Sequence, residues 1–291
     1  MSPSPDTPIG EDAANGTGSA AASTQDRDFA ELTRKISRER GFACASYKEK
    51  CLRRRIAVRM RARGVHTYAD YARVLDADAT EYDRLLDALT INVTKLFRNW
   101  PVYQVLYERV VPELWALETP HVRVWSAGCS SGEEPYSLAV LFHRYAAVQG
   151  MLPQIGRVEI LGTDIDRLSL AAAARGEFQE GDFAETPPEL RDRYFSATAP
   201  FTVSRGVREL VRFERRDLLN DPAPSGRFHL ITCRNVLIYF DRDTQERLFA
   251  MFHDILLPGG YLVLGKVETL LGPARSAFAP VDARERIFRR Q

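Results

Sequence analysis

The chain has no apolar run approaching the roughly 20 residues that a membrane-spanning helix needs, which excludes a helical integral membrane protein. It also lacks a charge excess. Its net charge is +1, so the molecule as a whole has no electrostatic mandate to bind nucleic acid. The four cysteines, Cys44, Cys51, Cys129 and Cys233, fall in no C-x-x-C or other metal-ligand spacing. That argues against a structural metal site and for buried thiols in a reducing compartment. The N-terminus shows neither the basic nor the apolar region of a signal peptide, and no internal repeat is evident. Together these absences predict a cytoplasmic protein with no membrane insertion.

What is present is ordinary globular material, 45% apolar and 27% charged over 291 residues, enough for a sizeable core. Residues 1–25 are Ser, Ala, Gly, Thr, Pro and acid, and are predicted to form a disordered tail. Residues 28–115 have helical character throughout. Phe29, Leu32 and Ile36 start one helix; residues 47–63 form a second; Tyr68, Tyr71, Leu75 and then Tyr82, Leu85, Leu86, Leu89 space two more. Pro101 stands where a helix begins. From 118 to 291 strands and helices alternate: strand 122–127, helix 134–148, strand 158–163, helix 166–175, strands 211–214 and 228–233, helix 243–256, a turn into a strand at 256–264, and a last strand at 281–289. The expected architecture is α/β, a largely parallel doubly wound sheet behind an all-α domain.

Ligands of such sheets lie beyond the C-terminal strand ends. There the first strand delivers Gly128-Cys-Ser-Ser-Gly132, a turn in which glycines let backbone approach a ligand, followed by Glu133 and Glu134 at a helix N-terminus. Two carboxylates at that mouth repel phosphate but suit ribose hydroxyls or an ammonium group. They point away from dinucleotides and toward S-adenosylmethionine. The second strand ends at Asp164, the usual place for a ribose-binding acid. The third ends at Asp217-Leu218, able to flank an adenine edge, and the fourth at Cys233-Arg-Asn-Val-Leu-Ile-Tyr239. The same turn also matches G-x-S-x-G, a hydrolase nucleophile elbow. With Ser130 as nucleophile, only His229, inside a strand, and His253, mid-helix, remain as later histidines.

Four motifs in order, Asn92-Val-Thr94 with Leu96-Phe-Arg98, Trp125 to Ser137, Gly162-Thr-Asp-Ile-Asp166, and Cys233 to Phe240, resemble the CheR family of chemotaxis receptor methyltransferases over about residues 28–290. The resemblance implies a Rossmann-like class I methyltransferase sheet with an inserted small antiparallel β-subdomain, here about 176–212, and a helical N-terminal domain. It implies S-adenosyl-L-methionine as cofactor, S-adenosyl-L-homocysteine as product, and transfer to receptor glutamates as glutamyl methyl esters. By motif, Asn92, Thr94 and Arg98 line the transfer pocket beside Gly128, Glu134 binds the methionine end of the cofactor, Asp164 the ribose, and Asp217 and Leu218 the adenine. Arg234, Asn235 and Tyr239 complete it. Arg98 and Arg234 are the candidates to catch the substrate carboxylate, a guanidinium being a fixed fork for that group, with Tyr239 as an added donor.

Three departures stand out: Leu96 for a phenylalanine, Asp217 for an asparagine, and Gly265-Lys-Val-Glu268 where members read Gly-His-Ser-Glu. The last puts the role of that segment in question. The shortened stretch from Tyr194 to Val211 argues against tethering to a receptor tail. Between Tyr47 and Arg63 eight basic residues face one acid, Glu49. Like charges at that density repel without a partner, so Arg53, Arg54 and Arg59 are predicted to meet the acidic cytoplasmic helices of a chemoreceptor, with the enzyme as a monomer and nucleic acid not expected. Alternatives are a cofactor-binding regulatory domain without turnover and a methyltransferase for another substrate. Against the latter, no Asn/Asp-Pro-Pro-aromatic or Pro-Cys signature is present.

Overall fold

The structure, a computed structural model, describes residues 17–90 and 94–291, with side chains from residue 24 onward. The chain divides into two compact units, one of residues 1–45 and 49–89, the other of 46–48 and 90–291.

The first unit contains α1 (Thr17–Arg40), α2 (Glu49–Ala62), α3 (Tyr68–Ala77) and α4 (Ala79–Leu89). Each buries its apolar stripe: Leu32 and Ile36 from α1, Leu52 and Ile56 from α2, Tyr71 and Leu75 from α3, Tyr82 and Leu85 from α4. Thr67 caps α3, its hydroxyl accepting the Asp70 N–H. The expected tail 1–25 meets the described residues only from Thr17, and there α1 is already helical. Helical propensity of the Ala-rich run extends the helix upstream of its first core contact.

The second unit begins with α5 (Trp100–Val105), which runs through a π-helical turn into α6 (Val111–Trp115). These residues were expected to belong with the helical domain. Instead Val102, Leu106, Val110, Leu114 and Trp115 share one core with Val122 and Val124 of the first strand. Residues 46–48 also join this unit, the Lys48 N–H donating to the Tyr239 carbonyl at 2.8 Å.

Then follow β1 (Val122–Ala127), α7 (Glu133–Val148), β2 (Val158–Asp164), α8 (Arg167–Arg175), β3 (Glu177–Phe178), α9 (Pro188–Tyr194), β4 (Phe201–Thr202), α10 (Arg205–Arg208), β5 (Val211–Arg215), β6 (Phe228–Cys233), α11 (Arg242–Ile255), β7 (Leu256–Leu264), α12 (Ala274–Ala277), β8 (Phe278–Asp282) and β9 (Ile287–Arg290). The sheet order is β5-β2-β1-β6-β7-β9-β8. Strands β5 through β7 in that order are parallel, and β9 and β8 close the edge antiparallel. The strand order reverses between β1 and β6, which puts the crevice at their C-terminal ends.

The single last strand expected at 281–289 is a hairpin, because the Asp282 carboxylate accepts the Glu285 N–H and Arg286 turns the chain at φ 58°. The inserted segment is an antiparallel pair, β3 with β4, around a cluster of Phe178, Phe183, Phe195 and Phe201. Its expected upper limit of 212 is too long, since β5 pairs with β2 in the main sheet. Among the described residues no helix is long and apolar enough to cross a membrane, and no cluster of metal-ligating side chains occurs.

Candidate active site

At the C-terminal ends of β1 and β6 lies a small cleft opening to solvent. Thr94, Lys95, Arg98, Tyr103, Gly128, Cys129, Ser130, Glu134, Arg234, Asn235 and Val236 line it. The fold therefore brings together six predicted residues, Thr94, Arg98, Gly128, Glu134, Arg234 and Asn235, from three separate stretches of sequence. Asn92 lies outside the described residues.

The turn after β1 is bound down by backbone. The N–H groups of Gly128 and Cys129 donate to the Thr163 carbonyl at 2.8 and 2.9 Å, and that of Ser130 to the Asp164 carboxylate at 2.8 Å. Gly128 has φ 74°, and a Cβ there would come within 2.6 Å of Val236. Gly132 has φ 95°, and its Cβ would press on Ala173 at 2.9 Å. Only glycine permits this close approach.

Glu134 stands on the first turn of α7. One carboxylate oxygen accepts the hydroxyls of Ser126 at 2.8 Å and Thr232 at 2.6 Å; the other faces Arg234 at 3.2 Å. Its neighbour Glu133 is 4% exposed, receives the Ser131 hydroxyl on both oxygens, and is pushed up to about 7 by burial. Asp164 accepts the N–H groups of Ser130 and Asp166, and burial raises its pKa. Asp166 is the cap of α8, its carboxylate taking the Leu168 N–H and the Ser169 hydroxyl. Asp164 is not a lining residue of the cleft, but it fixes Ser130, which is.

Arg234 departs from its expected role. It is buried, and its Nη1 is engaged by Glu134 and the Tyr103 hydroxyl, its Nη2 by the Arg98 carbonyl at 2.7 Å and Asn99 Oδ1 at 3.4 Å. A guanidinium occupied at both ends is no open fork for a substrate carboxylate. Arg98 stands half-buried in the cleft wall. Asp217 closes its own turn, accepting the Leu219 N–H and the Asn220 side-chain amide. Leu218 packs partly buried on the core between α11 and the sheet, as does Tyr239. None of the three lines the cleft.

Several residues the sequence did not single out complete the picture. Tyr103 pins Arg234. Glu268, 4% exposed, accepts the N–H groups of Gly265 at 2.6 Å, Asn235 at 3.0 Å and Ile238 at 3.3 Å. The segment whose role was in question is thus the brace of the 234–239 loop, through the one polar position of Gly-His-Ser-Glu that this chain retains. Leu96, the other departure, is fully buried.

In the helical unit two of the three predicted substrate-contacting arginines have acidic partners of their own. Arg59 makes a two-pronged bond to the fully buried Glu81 at 2.9 and 2.7 Å, and Arg53 pairs with Glu49 and Asp26 while lying over the Phe29 ring. Glu81 and Asp26 stand on other helices, so all of the charge but that facing Glu49 looked unpartnered in sequence. Arg54, with Lys50 and Arg61, is exposed.

The serine-nucleophile reading fails on geometry. His229 lies at the opposite end of β6 from the turn and accepts the Arg123 N–H at 3.0 Å, and His253 sits beside Asp254 on α11.

A model of the CheR methyltransferase SAM-binding domain matches residues 92–287, and one of the CheR methyltransferase all-alpha domain matches residues 27–90. The chain belongs to the CheR methyltransferase family. Among its relatives, a chemotaxis protein methyltransferase of Listeria innocua is 34% identical over 88% of this chain and 95% of its own. Chemotaxis protein methyltransferase 1 of Pseudomonas aeruginosa is 38% identical over 65% of this chain and 70% of its own. A solved TehB-like methyltransferase of Corynebacterium glutamicum is 16% identical with a TM-score of 0.35, covering 66% of this chain and 92% of its own, too low a likeness to add anything. The protein is a chemotaxis methyltransferase that depends on S-adenosylmethionine. The cleft fits that cofactor. Acids rather than basic groups stand at the α7 N-terminus, and the buried Ser130 hydroxyl has no partner among the described residues.

Proposed function

We propose that this CheR-family enzyme methylates glutamate side chains on the cytoplasmic helices of a chemoreceptor, forming glutamyl methyl esters. The observation that carries this reading is Arg98 in the wall of a cleft that also holds Glu134 and whose lining includes no histidine. A free glutamate has a pKa of about 4.3, so it arrives as carboxylate and needs no general base. Alignment and a cation to hold it are what remain for the protein to provide.

When bound, S-adenosylmethionine supplies an electrophilic methyl group on a sulfonium. Glu134, held by Ser126, Thr232 and Arg234, receives the ammonium of the methionine end, and Asp164 the ribose hydroxyls. Thr94 lines the pocket; the family motif assigns Asn92 to it as well, and Asp217 and Leu218, which stand outside the cleft lining, to the adenine. Asn235 contributes a polar group from the far wall, with Tyr239 on the same loop packed against the core. Arg98 takes one oxygen of the incoming carboxylate and leaves the other to attack. Holding reacting groups in line is worth several kcal/mol of barrier. Arg54, together with Lys50 and Arg61 on the same side of α2, offers charge to an acidic receptor helix; Arg53 and Arg59 act through their own ion pairs.

The test is incubation with methyl-labelled S-adenosylmethionine and receptor-rich membranes, followed by mild alkali. Label on a receptor-sized band, released as volatile methanol, is the expected result. Alkali-stable label would mean N- or C-methylation. R98A should abolish transfer and keep cofactor binding; unchanged turnover would remove Arg98 from the mechanism.

A further inference from the structure

The strap formed by residues 94–99 carries Thr94, Lys95 and Arg98 into the cleft, and its backbone is under strain. Phe97 has φ 53° and Asn99 φ 62°, left-handed conformations that side-chain-bearing residues hold only when their surroundings impose them. Part of that imposition comes from α7 and from the loop after β6. The Phe97 N–H donates to the Ser137 hydroxyl at 2.8 Å, and Arg234 holds the Arg98 carbonyl.

The rest comes from the inserted segment. The Leu96 N–H donates to the Asp182 carbonyl at 2.9 Å, the Thr186 hydroxyl reaches the Leu96 carbonyl at 3.4 Å, and the Glu185 carboxylate accepts the Asn99 N–H at 2.6 Å. The last is the charged and shortest of these contacts, the kind of hydrogen bond that is roughly twice as strong as a neutral one. It acts on the N–H of the peptide that joins Arg98 to Asn99, whose orientation is the ψ of Arg98 itself, so together with the Arg234 bond to the Arg98 carbonyl it fixes the backbone from which the Arg98 side chain leaves.

We infer that Glu185 is a positioning residue for methyl transfer: by holding the peptide between Arg98 and Asn99 it sets the aim of Arg98, so the inserted β-subdomain takes part in building the catalytic cleft. The inference rests on the reading of Arg98 as the group that holds the substrate carboxylate. Glu185 itself touches no reacting atom. Its loss lets the strap relax toward ordinary backbone, and misplacement of a positioning group by an ångström can cost about a hundredfold in rate.

The experiment uses the full chain with labelled S-adenosylmethionine and receptor-rich membranes, and measures kcat, KM, cofactor Kd and Tm for E185A, E185Q, R98A, R98K and the R98K/E185A double variant. Expected for E185A is a fall in kcat of about ten- to a hundredfold, with cofactor Kd within about twofold and Tm near that of the wild type. E185Q keeps an acceptor oxygen and should recover most of the rate, which a merely structural or charge effect would not explain. In the double variant E185A should add little to the loss already caused by R98K, because both act through the same guanidinium.

The inference is overturned if E185A turns over at the wild-type rate, if its loss multiplies fully with that of R98K, or if cofactor affinity falls as much as kcat. R98A separates the two claims. An inactive R98A beside an active E185A removes the positioning role and leaves the parent reading standing, whereas R98A with full turnover removes both.

Discussion

Two stretches of backbone face each other across the cleft, the turn 128–134 and the loop 234–239, and they are held by different means. Both force a side-chain-bearing residue into the left-handed region, Ser130 at φ 49° and Asn235 at φ 62°. The turn hangs on main-chain carbonyls of the adjacent strand and on the strand-end acid Asp164. The Asn235 and Ile238 N–H groups of the loop both hang on one buried side chain, Glu268, which is remote in sequence, while Arg234 and Tyr239 at its ends have anchors of their own in Glu134, Tyr103 and the Lys48 N–H. A backbone-anchored wall tolerates substitution as long as the sheet exists. A wall anchored on a single carboxylate can be taken down by one mutation.

The largest effect should follow from that difference. Replacing Glu268 with Leu removes the acceptor of the Gly265, Asn235 and Ile238 N–H groups, and a buried donor left unsatisfied costs about 1–3 kcal/mol. We expect destabilisation of about 3 kcal/mol or more and, at roughly 2–4 °C per kcal/mol for a unit of this size, a Tm lowered by about 6 °C or more, with weakened cofactor binding. Thermal melts followed by circular dichroism would decide it. A shift below about 2 °C would mean that the loop is held by its other contacts.

The turn has its own weak point, and it is one of pH. Glu133 has an ordinary carboxyl pKa when unfolded and about 7 when folded, chiefly because burial disfavours its charge. The folded state binds the proton more tightly, so stability is fully present below the unfolded value. It is lost progressively as pH rises through about 7. Glu133→Gln removes that loss. The variant and the wild type should match near pH 4.5 and diverge upward, with Gln ahead by on the order of 2–3 kcal/mol above pH 7.5. Urea midpoints measured across that range would show it; parallel curves would mean that Glu133 ionises normally. Burial also raises Glu268 and Asp164, so the wild type should not be flat even then.

The same contrast explains what the sequence disclosed. Strand β1, its glycine turn and the N-terminus of α7 are contiguous, and their periodicity and glycine spacing are local signals; the cleft-lining Gly128 and Glu134 are legible that way. The strands and helices of the doubly wound sheet were legible for the same reason. What was illegible depends on long-range pairing. Nothing near Arg234 announces that Tyr103 and the Arg98 carbonyl will occupy it, nor does anything near Arg59 point to Glu81, which follows on another helix. The boundary at residue 115 was misplaced because a helix carries no mark of which core it will join. Glu268 was visible as a retained motif letter, but only the fold shows the three N–H groups converging on it.

The smallest effect sharpens the comparison by acting on both stability and binding at one atom. Ser130 holds a left-handed conformation with its buried hydroxyl unpartnered. Glycine adopts that conformation without the steric cost of about 1–2 kcal/mol that a Cβ brings, although it gives back part of this through a more flexible unfolded chain. Ser130→Gly should therefore raise Tm by about 2 °C. If the hydroxyl is aimed at the cofactor, the same change should weaken S-adenosylmethionine binding about fivefold, the worth of one ordinary hydrogen bond. Calorimetric titration alongside a thermal melt separates the two. A higher Tm with unaltered affinity would show that the serine is a flaw in the turn; a higher Tm with weaker binding would show that the turn keeps its strain because the hydroxyl is needed by the cofactor.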